Sequence, residues 1–160
     1  MNFKHTLFLV IFSIVSLQVN AESVWDKSSQ SLTAPTEIVV YRSPSCGCCH
    51  KWIKHLEKHQ FTVKDLVTED VNKVKQLYGV PGEMASCHTA IVDGYVVEGH
   101  VPASDIISLL TKRPKIVGIS VPAMVNGTPG MEMGSNKDPF KVISFDANGK
   151  FSEFNNYENY

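Results

Sequence analysis

The sequence has no excess of charge of either sign. Its 160 residues carry 15 lysines and arginines against 16 aspartates and glutamates, a formal net charge of −1. A chain so balanced has no basic footprint for nucleic acid. Lys51, Lys54 and Lys58 stand close together, but they read as the solvated face of a helix. There is no internal repeat, no Walker loop and no dinucleotide-binding glycine pattern, so none of the usual phosphate-cradling signatures applies. Glu83 and Glu98 form no paired-carboxylate pattern, and no acid–base role is assigned to them. Cysteine is scarce as well, with four in the whole chain. The distribution is what matters: Cys46, Cys48 and Cys49 fall within four consecutive positions, and Cys87 stands far from them.

Long apolar runs are also few. Leu7–Leu17 is apolar apart from two serines, and it is too short to span a bilayer comfortably. Lys4 and His5 precede it, and Val19-Asn20-Ala21 places small residues at the −3 and −1 sites. Residues 1–21 are therefore expected to be a secretory signal peptide cleaved after Ala21, leaving an exported, periplasmic protein with no membrane segment after cleavage. In such an oxidising compartment an exposed thiol must be paired, ligated or catalytic. Residues 22–36 are polar and aperiodic and read as a leader or linker, with Trp25 its one large apolar anchor. Residues 37–160 are expected to form a single domain, since 43% hydrophobic and 19% charged residues suit an ordinary globular core.

Within that domain the pattern alternates. Ile38–Tyr41 reads as a buried strand broken by Ser43-Pro44-Ser45. A helix is predicted from about Cys46 to about His59, with Cys49, Trp52, Ile53 and Leu56 on its apolar face. Phe61–Val67 is a second strand. Asp70 caps a short helix with Val71, Val74 and Leu77 on one face, ended by Gly79 and Pro81. Ala90–Val92 and Tyr95–Val97 flank Asp93-Gly94, a two-residue hairpin signal. Ala103 or Ser104 opens a third helix, closed before Pro114. Strand, helix, strand, helix, hairpin, helix is the thioredoxin-like order, an α/β mixed sheet flanked by helices. Val121–Lys137 is a long loop holding Met124, Met131 and Met133 with several glycines and prolines, and segments around Lys141–Phe145 and Lys150–Phe154 predict an additional C-terminal hairpin.

A thiol in the first turn of a helix sits in the field of unpaired N–H groups, which favours the thiolate. The spacing of Cys46 and Cys49 is that of a dithiol redox motif, in which Cys46 would attack and Cys49 resolve. Cys48 and Cys87 are superfluous to that chemistry. Several thiolates at close range instead suit a soft ion, Cu(I) or Zn(II). Adjacent Cys48 and Cys49 fit a tetrahedral zinc poorly, whereas a polynuclear Cu(I)–thiolate cluster lets each sulfur bridge ions. In the thioredoxin-like order the loop before the third strand meets the redox helix, so Cys87 is expected to face the cysteine turn. That loop normally presents a cis-proline, and this sequence has Cys87-His88-Thr89 there.

Three segments carry a family resemblance: YRSPSCGCCHKW at Tyr41–Trp52, GVPGEMASCHTAIVDGYVVEGHVPASDI at Gly79–Ile106 and VPAMVNGTPGMEMG at Val121–Gly134. Over about residues 37–146 the chain resembles the CopG-like periplasmic copper-resistance proteins, thioredoxin-fold proteins with a CxCC motif. The resemblance implies copper bound as a multinuclear Cu(I) cluster, with Cys46, Cys48, Cys49 and Cys87 as ligands, and a part in copper resistance by sequestration and Cu(I)/Cu(II) interconversion. A copper metallochaperone and a thiol–disulfide oxidoreductase are the alternatives. Copper ions, and other periplasmic copper-resistance proteins, are the partners implied. The methionine loop departs modestly from the family pattern, with Val125-Asn126 in place of a proline-containing stretch. His88, Met124 and Met131 are secondary ligand candidates, while the default for Met133 and Met84 is packing. His50, His55 and His59 are expected on a solvated helix face, and His100 has no role assigned.

Overall fold

The structure is a computed structural model and describes residues 23–27 and 31–160. The expected signal peptide therefore lies outside the described residues. Among the described residues the main elements run β1 (Thr36–Arg42), α1 (Gly47–Lys58), β2 (Phe61–Val67), α2 (Val71–Leu77), β3 (His88–Val92), β4 (Tyr95–Glu98), α3 (Ala103–Lys112), β5 (Gly118–Ser120), β6 (Phe140–Phe145) and β7 (Phe151–Tyr157). The strands form one mixed sheet in the order β2-β1-β3-β4-β5-β6-β7. β1 pairs parallel with β2 and antiparallel with β3, and β4 pairs parallel with β5. The thioredoxin-like α/β core is present, and the C-terminal hairpin β6–β7 extends the same sheet through β5.

Local chemistry accounts for most boundaries. The β3–β4 turn places Asp93 and Gly94 at φ 47° and 83°, the left-handed pair that a tight two-residue hairpin requires. Asp70 caps α2 by accepting from Lys73 N–H at 3.1 Å. α1 lays Cys49, Trp52, Ile53 and Leu56 against the sheet, all buried, and Trp52 Nε1–H donates to Val101 O at 2.8 Å. Ile38, Val40, Ala90, Val97, Ile106 and Leu109 complete the main core.

Three features differ from the sequence expectations, the face of α2, the burial of two histidines and a short strand. The apolar face assigned to α2 is only partly the buried one: Val71 and Val74 are half-buried, but Leu77 is 78% exposed while Lys75 is buried. The cause lies across the interface, where the buried carboxylate of Glu98 meets Lys75 Nζ at 2.5 Å. His55 and His59 are buried at 7% and 8% exposure rather than solvated. The ring of His55 accepts from Ala103 N–H at 3.0 Å, and His59 Nε2 donates to the Trp25 carbonyl at 2.7 Å. Trp25 itself is buried against Phe140, Tyr157 and Tyr160, and its indole N–H donates to Gly127 O at 2.8 Å. Finally, β5 has no counterpart in the sequence pattern, because three residues are too few for a period-2 alternation to register.

Candidate metal centre

The sulfurs gather at the N-terminal end of α1. Cys46 is the N-cap residue and its side chain caps nothing, so the first-turn N–H groups are left facing the thiols. Cys48 and Cys49 follow in the first turn, and Cys87 arrives from the residue just before β3. The Sγ atoms of Cys46, Cys48, Cys49 and Cys87 all lie within 4.8 Å of one another. Cys46 and Cys48 are 3.5 Å apart, and Cys49 and Cys87 are 3.6 Å apart. Cys46 and Cys49 are joined as a disulfide with a Cα–Cα separation of 5.4 Å, while Cys48 and Cys87 are free thiols. Burial, reinforced by the neighbouring Cys48 sulfur, pushes the Cys87 thiol up to about 12. Such a thiol gives up its proton only to a base or to a cation that takes the sulfur.

Two imidazoles flank Cys87, and the His88 ring also lies against Trp52 of α1 with centroids 4.3 Å apart. His88 Nδ1 and His100 Nε2 each stand 3.2 Å from its sulfur. Both rings are essentially inaccessible, at 0% and 1% exposure, and packed edge to face with centroids 5.0 Å apart. Burial holds both rings below the usual histidine range; the His100 ring and the Lys75 ammonium add to the effect on His88. Neutral rings carry one N–H each. His100 Nδ1 lies 2.8 Å from the Pro129 carbonyl, which can only accept. The proton is therefore on Nδ1, and Nε2 turns a lone pair toward Cys87. His88 Nε2 has no hydrogen-bond partner among the described residues.

The methionine loop supplies that Pro129 carbonyl, and it is seated directly on α1. A Cβ on Gly130 would fall 2.7 Å from Trp52 N and 3.0 Å from Cys48 O, and Gly130 has φ +83°. Only glycine fits this approach without strain. Within the loop Met131 is 8% exposed, whereas Met124 and Met133 are 58% and 61% exposed. The two exposed methionines are thus on the surface of the loop, not packed in it.

Behind Cys87 a buried ionic knot fixes the approach to β3. Glu98 Oε1 accepts from Lys75 Nζ at 2.5 Å and from Ser86 N–H at 2.7 Å, and its Oε2 accepts from Thr89 Oγ1 at 2.7 Å. A fully buried carboxylate is tolerable only with this degree of pairing. The sequence shows no carboxylate partner for Glu98, and the structure explains why none is needed. Its partners are a lysine, a hydroxyl and the backbone N–H next to Cys87.

The structure thus brings Cys46, Cys48, Cys49, Cys87 and His88 together, and adds His100, to which the sequence assigned no role. The signal available for His100 is its position two residues after β4, which pairs with the strand that Cys87 precedes. His50 is exposed, as expected from its helical position.

Comparison with known proteins places these features. A family described as "Protein of unknown function, DUF411" matches residues 84–131, the stretch that holds Cys87, His88, His100 and the Pro129–Gly130 contact. No curated protein matches the chain. Two solved structures of copper resistance protein CopG are similar at 47% sequence identity and a TM-score of 0.74. Form 2 is matched over 77% of this chain and 98% of that one, and form 1 over 78% and 99%. At that identity, over nearly the whole of the solved chains, the protein belongs to the CopG family of copper resistance proteins.

Proposed function

We propose that the protein binds copper in the four-cysteine pocket, holding several Cu(I) ions bridged by thiolates, and that it contributes to copper resistance in the periplasm by sequestration. The carrying observation is the convergence of four sulfurs within 4.8 Å at a helix N-terminus. An all-sulfur donor set is soft and selects Cu(I), and sulfurs this close favour bridging over four ligands spread around one ion. The helix end offsets part of the thiolate charge, and the metal must offset the rest.

The Cys46–Cys49 pair adds a redox capacity to the same site. Two Cu(II) ions taking one electron each from the reduced pair leave two Cu(I) ions and the disulfide. Two protons are released if the thiols start protonated. Interconversion of Cu(I) and Cu(II) is therefore part of the proposal, and a steady-state assay of copper oxidation and reduction measures whether it turns over.

Anaerobic Cu(I) titration of the reduced protein with parallel thiol counting tests the main reading. More than one Cu(I) per chain is expected, with the free-thiol count falling as copper is added. Binding of one ion at most, or undiminished binding after Cys48→Ser with Cys87→Ser, would refute a cluster.

A second reading draws on the Cys46–Cys49 disulfide at the end of α1: thiol–disulfide oxidoreduction without metal. It predicts metal-free insulin reduction that Cys46→Ser abolishes.

A further inference from the structure

Residues 23–27 read as leader in the sequence, yet they are tied into the fold on two sides. Ser23 caps the turn Val24–Asp26: its Oγ accepts from Trp25 N–H at 3.3 Å, and Asp26 Oδ2 accepts from Ser23 N–H at 3.3 Å. One side is fastened to the C-terminal end of α1, where Lys58 Nζ donates to Asp26 Oδ2 at 2.8 Å and His59 donates to the Trp25 carbonyl. The other side meets the methionine loop. The Trp25 indole N–H donates to Gly127 O, and Ser23 Oγ donates to Glu132 Oε1 at 3.0 Å. Glu132 Oε2 accepts in turn from Gly130 N–H at 2.8 Å. We propose that Ser23 and Trp25 are a latch: they hold the turn 127–131 on the cysteine end of α1, and so set how fast copper leaves the pocket. The inference rests on the reading of that pocket as a copper site.

The turn needs such a fastening. Residues 127–131 are all buried, but they are Gly, Thr, Pro, Gly and Met, and Met131 belongs to neither apolar cluster of the core. Apolar burial therefore does little to fix the turn, and hydrogen bonds must do it. Two are internal, Gly127 N–H to Met131 O at 3.0 Å and Met131 N–H to Thr128 O at 2.8 Å. They keep the shape of the turn but not its place. On the inner side its place is set by the Pro129 carbonyl on His100 and by the contact of Gly130 with the backbone of Cys48 and Trp52. On the outer side it is set by the latch, which grips Gly127 at one end and Glu132 at the other.

Trp25 is itself held firmly. Phe140, Tyr157 and Tyr160 surround its ring at centroid separations of 6.0, 5.3 and 5.0 Å, and its polar edge is left to hold a carbonyl. A Cβ on Gly127 would fall 2.5 Å from Tyr160 Oη, so the latch clasps a glycine that is closed in by a second aromatic side chain. Lifting the turn breaks the bonds from Ser23 and Trp25 without separating any strand of the sheet, which makes it a local opening rather than unfolding. Such an opening uncovers the backbone of Cys48 and frees His100 from Pro129. Without the indole donor, Gly127 O is buried and unpaired in the closed state and hydrated in the open one. The loss of one hydrogen bond shifts that equilibrium about fivefold.

The test uses the whole reduced protein and Trp25→Phe, which keeps an aromatic ring in place and removes only the N–H donor. Hydrogen–deuterium exchange is read on the metal-free protein, and the rate of Cu(I) transfer to the chelator bathocuproine disulfonate on the copper-loaded one. Trp25→Phe should speed amide exchange across residues 127–133 and Cu(I) release by about fivefold each, the effect of one hydrogen bond. The amides of β1 and β3 and the Cu(I) stoichiometry should not change. Ser23→Ala should act in the same direction, and Ser23→Thr, which keeps the hydroxyl, should restore the slow rates. Wild-type protection and release in Trp25→Phe would overturn the latch. So would a loss of protection spread evenly over the sheet, which marks a fall in global stability. If Trp25→Phe does not fold, Ser23→Ala at a half-buried position decides by the same two readouts. The outcomes also separate the latch from the function it rests on. Wild-type protein that binds no Cu(I) sinks the copper reading, and control of release with it. Cu(I) that binds and leaves Trp25→Phe at the wild-type rate sinks the latch alone.

Discussion

Two pairs of buried histidines pack in nearly the same way and serve different ends. His55 and His59 lie edge to face on α1 with centroids 4.7 Å apart; His88 and His100 do so at 5.0 Å beside Cys87. In the first pair one nitrogen of each ring is spent on the backbone: His55 Nε2 receives the Ala103 N–H at the start of α3 and His59 Nε2 holds the Trp25 carbonyl, while His55 Nδ1, like His88 Nε2, has no partner among the described residues. In the second pair the nitrogens nearest each other's neighbour point at a thiol. Burial and residue type are alike, so neither identifies a site. What separates the pairs is where the lone pairs go after the backbone has been served.

Breaking the support behind the second pair gives the largest predicted effect. Glu98→Ala leaves the Lys75 ammonium buried without its partner and should cost about 3–5 kcal/mol in urea unfolding. Because Glu98 also holds Ser86 N–H, Cu(I) capacity should fall as well, measured on the folded fraction.

The pH dependence sharpens the contrast next. Burial, and then the neighbouring His59, lower His55 to about 3 from 6.5, with Asp26 opposing and Lys58 adding. Above pH 6.5 the ring is neutral folded and unfolded, and it contributes no slope. Between 6.5 and about 3 the unfolded chain takes a proton that the folded protein refuses, so stability falls with falling pH, by at most about 1.4 kcal/mol per pH unit. His88 and His100 act in the same sense. His55→Gln should therefore flatten, without abolishing, the acid limb of stability against pH measured by urea titration.

A smaller loss is expected from Gly130→Ala. The methyl group meets the backbone of Trp52 and Cys48 at a positive φ, which should cost about 1–3 kcal/mol. It should also lift Pro129 from His100 beside Cys87, so the Cu(I) capacity of the folded protein should fall.

The smallest effect belongs to the pair that faces no sulfur. His59→Gln, which keeps most of the buried volume, weakens one hydrogen bond to Trp25, worth about 1 kcal/mol, and should leave the Cu(I) stoichiometry unchanged. A metal defect in this variant would mean that the two histidine pairs are coupled.

Much of the molecule was legible because its signals are local. The start of α1 at the cysteine turn, the Asp70 cap and the Asp93-Gly94 hairpin each depend on residues a few positions apart. The convergence of Cys87 on the turn followed from the element order, since the strand it introduces must pair beside β1. The α2 face was misread because periodicity weighs Leu77 above Lys75, and nothing local announces the carboxylate that draws Lys75 inward. The same blindness placed His55 and His59 in solvent: the lysines around them are local, whereas Trp25 and Ala103 are not.

By itself the sequence determined the sulfur half of the site: which thiols exist, that three stand at a helix start, and that their number exceeds what a dithiol needs. The sequence also offered His88, directly after Cys87; only the tertiary structure decided that His100 joins it beside the thiol. His100 meets Cys87 across 13 residues of chain and Pro129 across 29, and Lys75 meets Glu98 across 23. Helix periods, caps and turns act over one or two turns of backbone. The tautomer of a ring and the pairing of a buried charge are settled by whatever the fold brings alongside, and here that is the loop seated on α1 and the carboxylate buried at the end of β4.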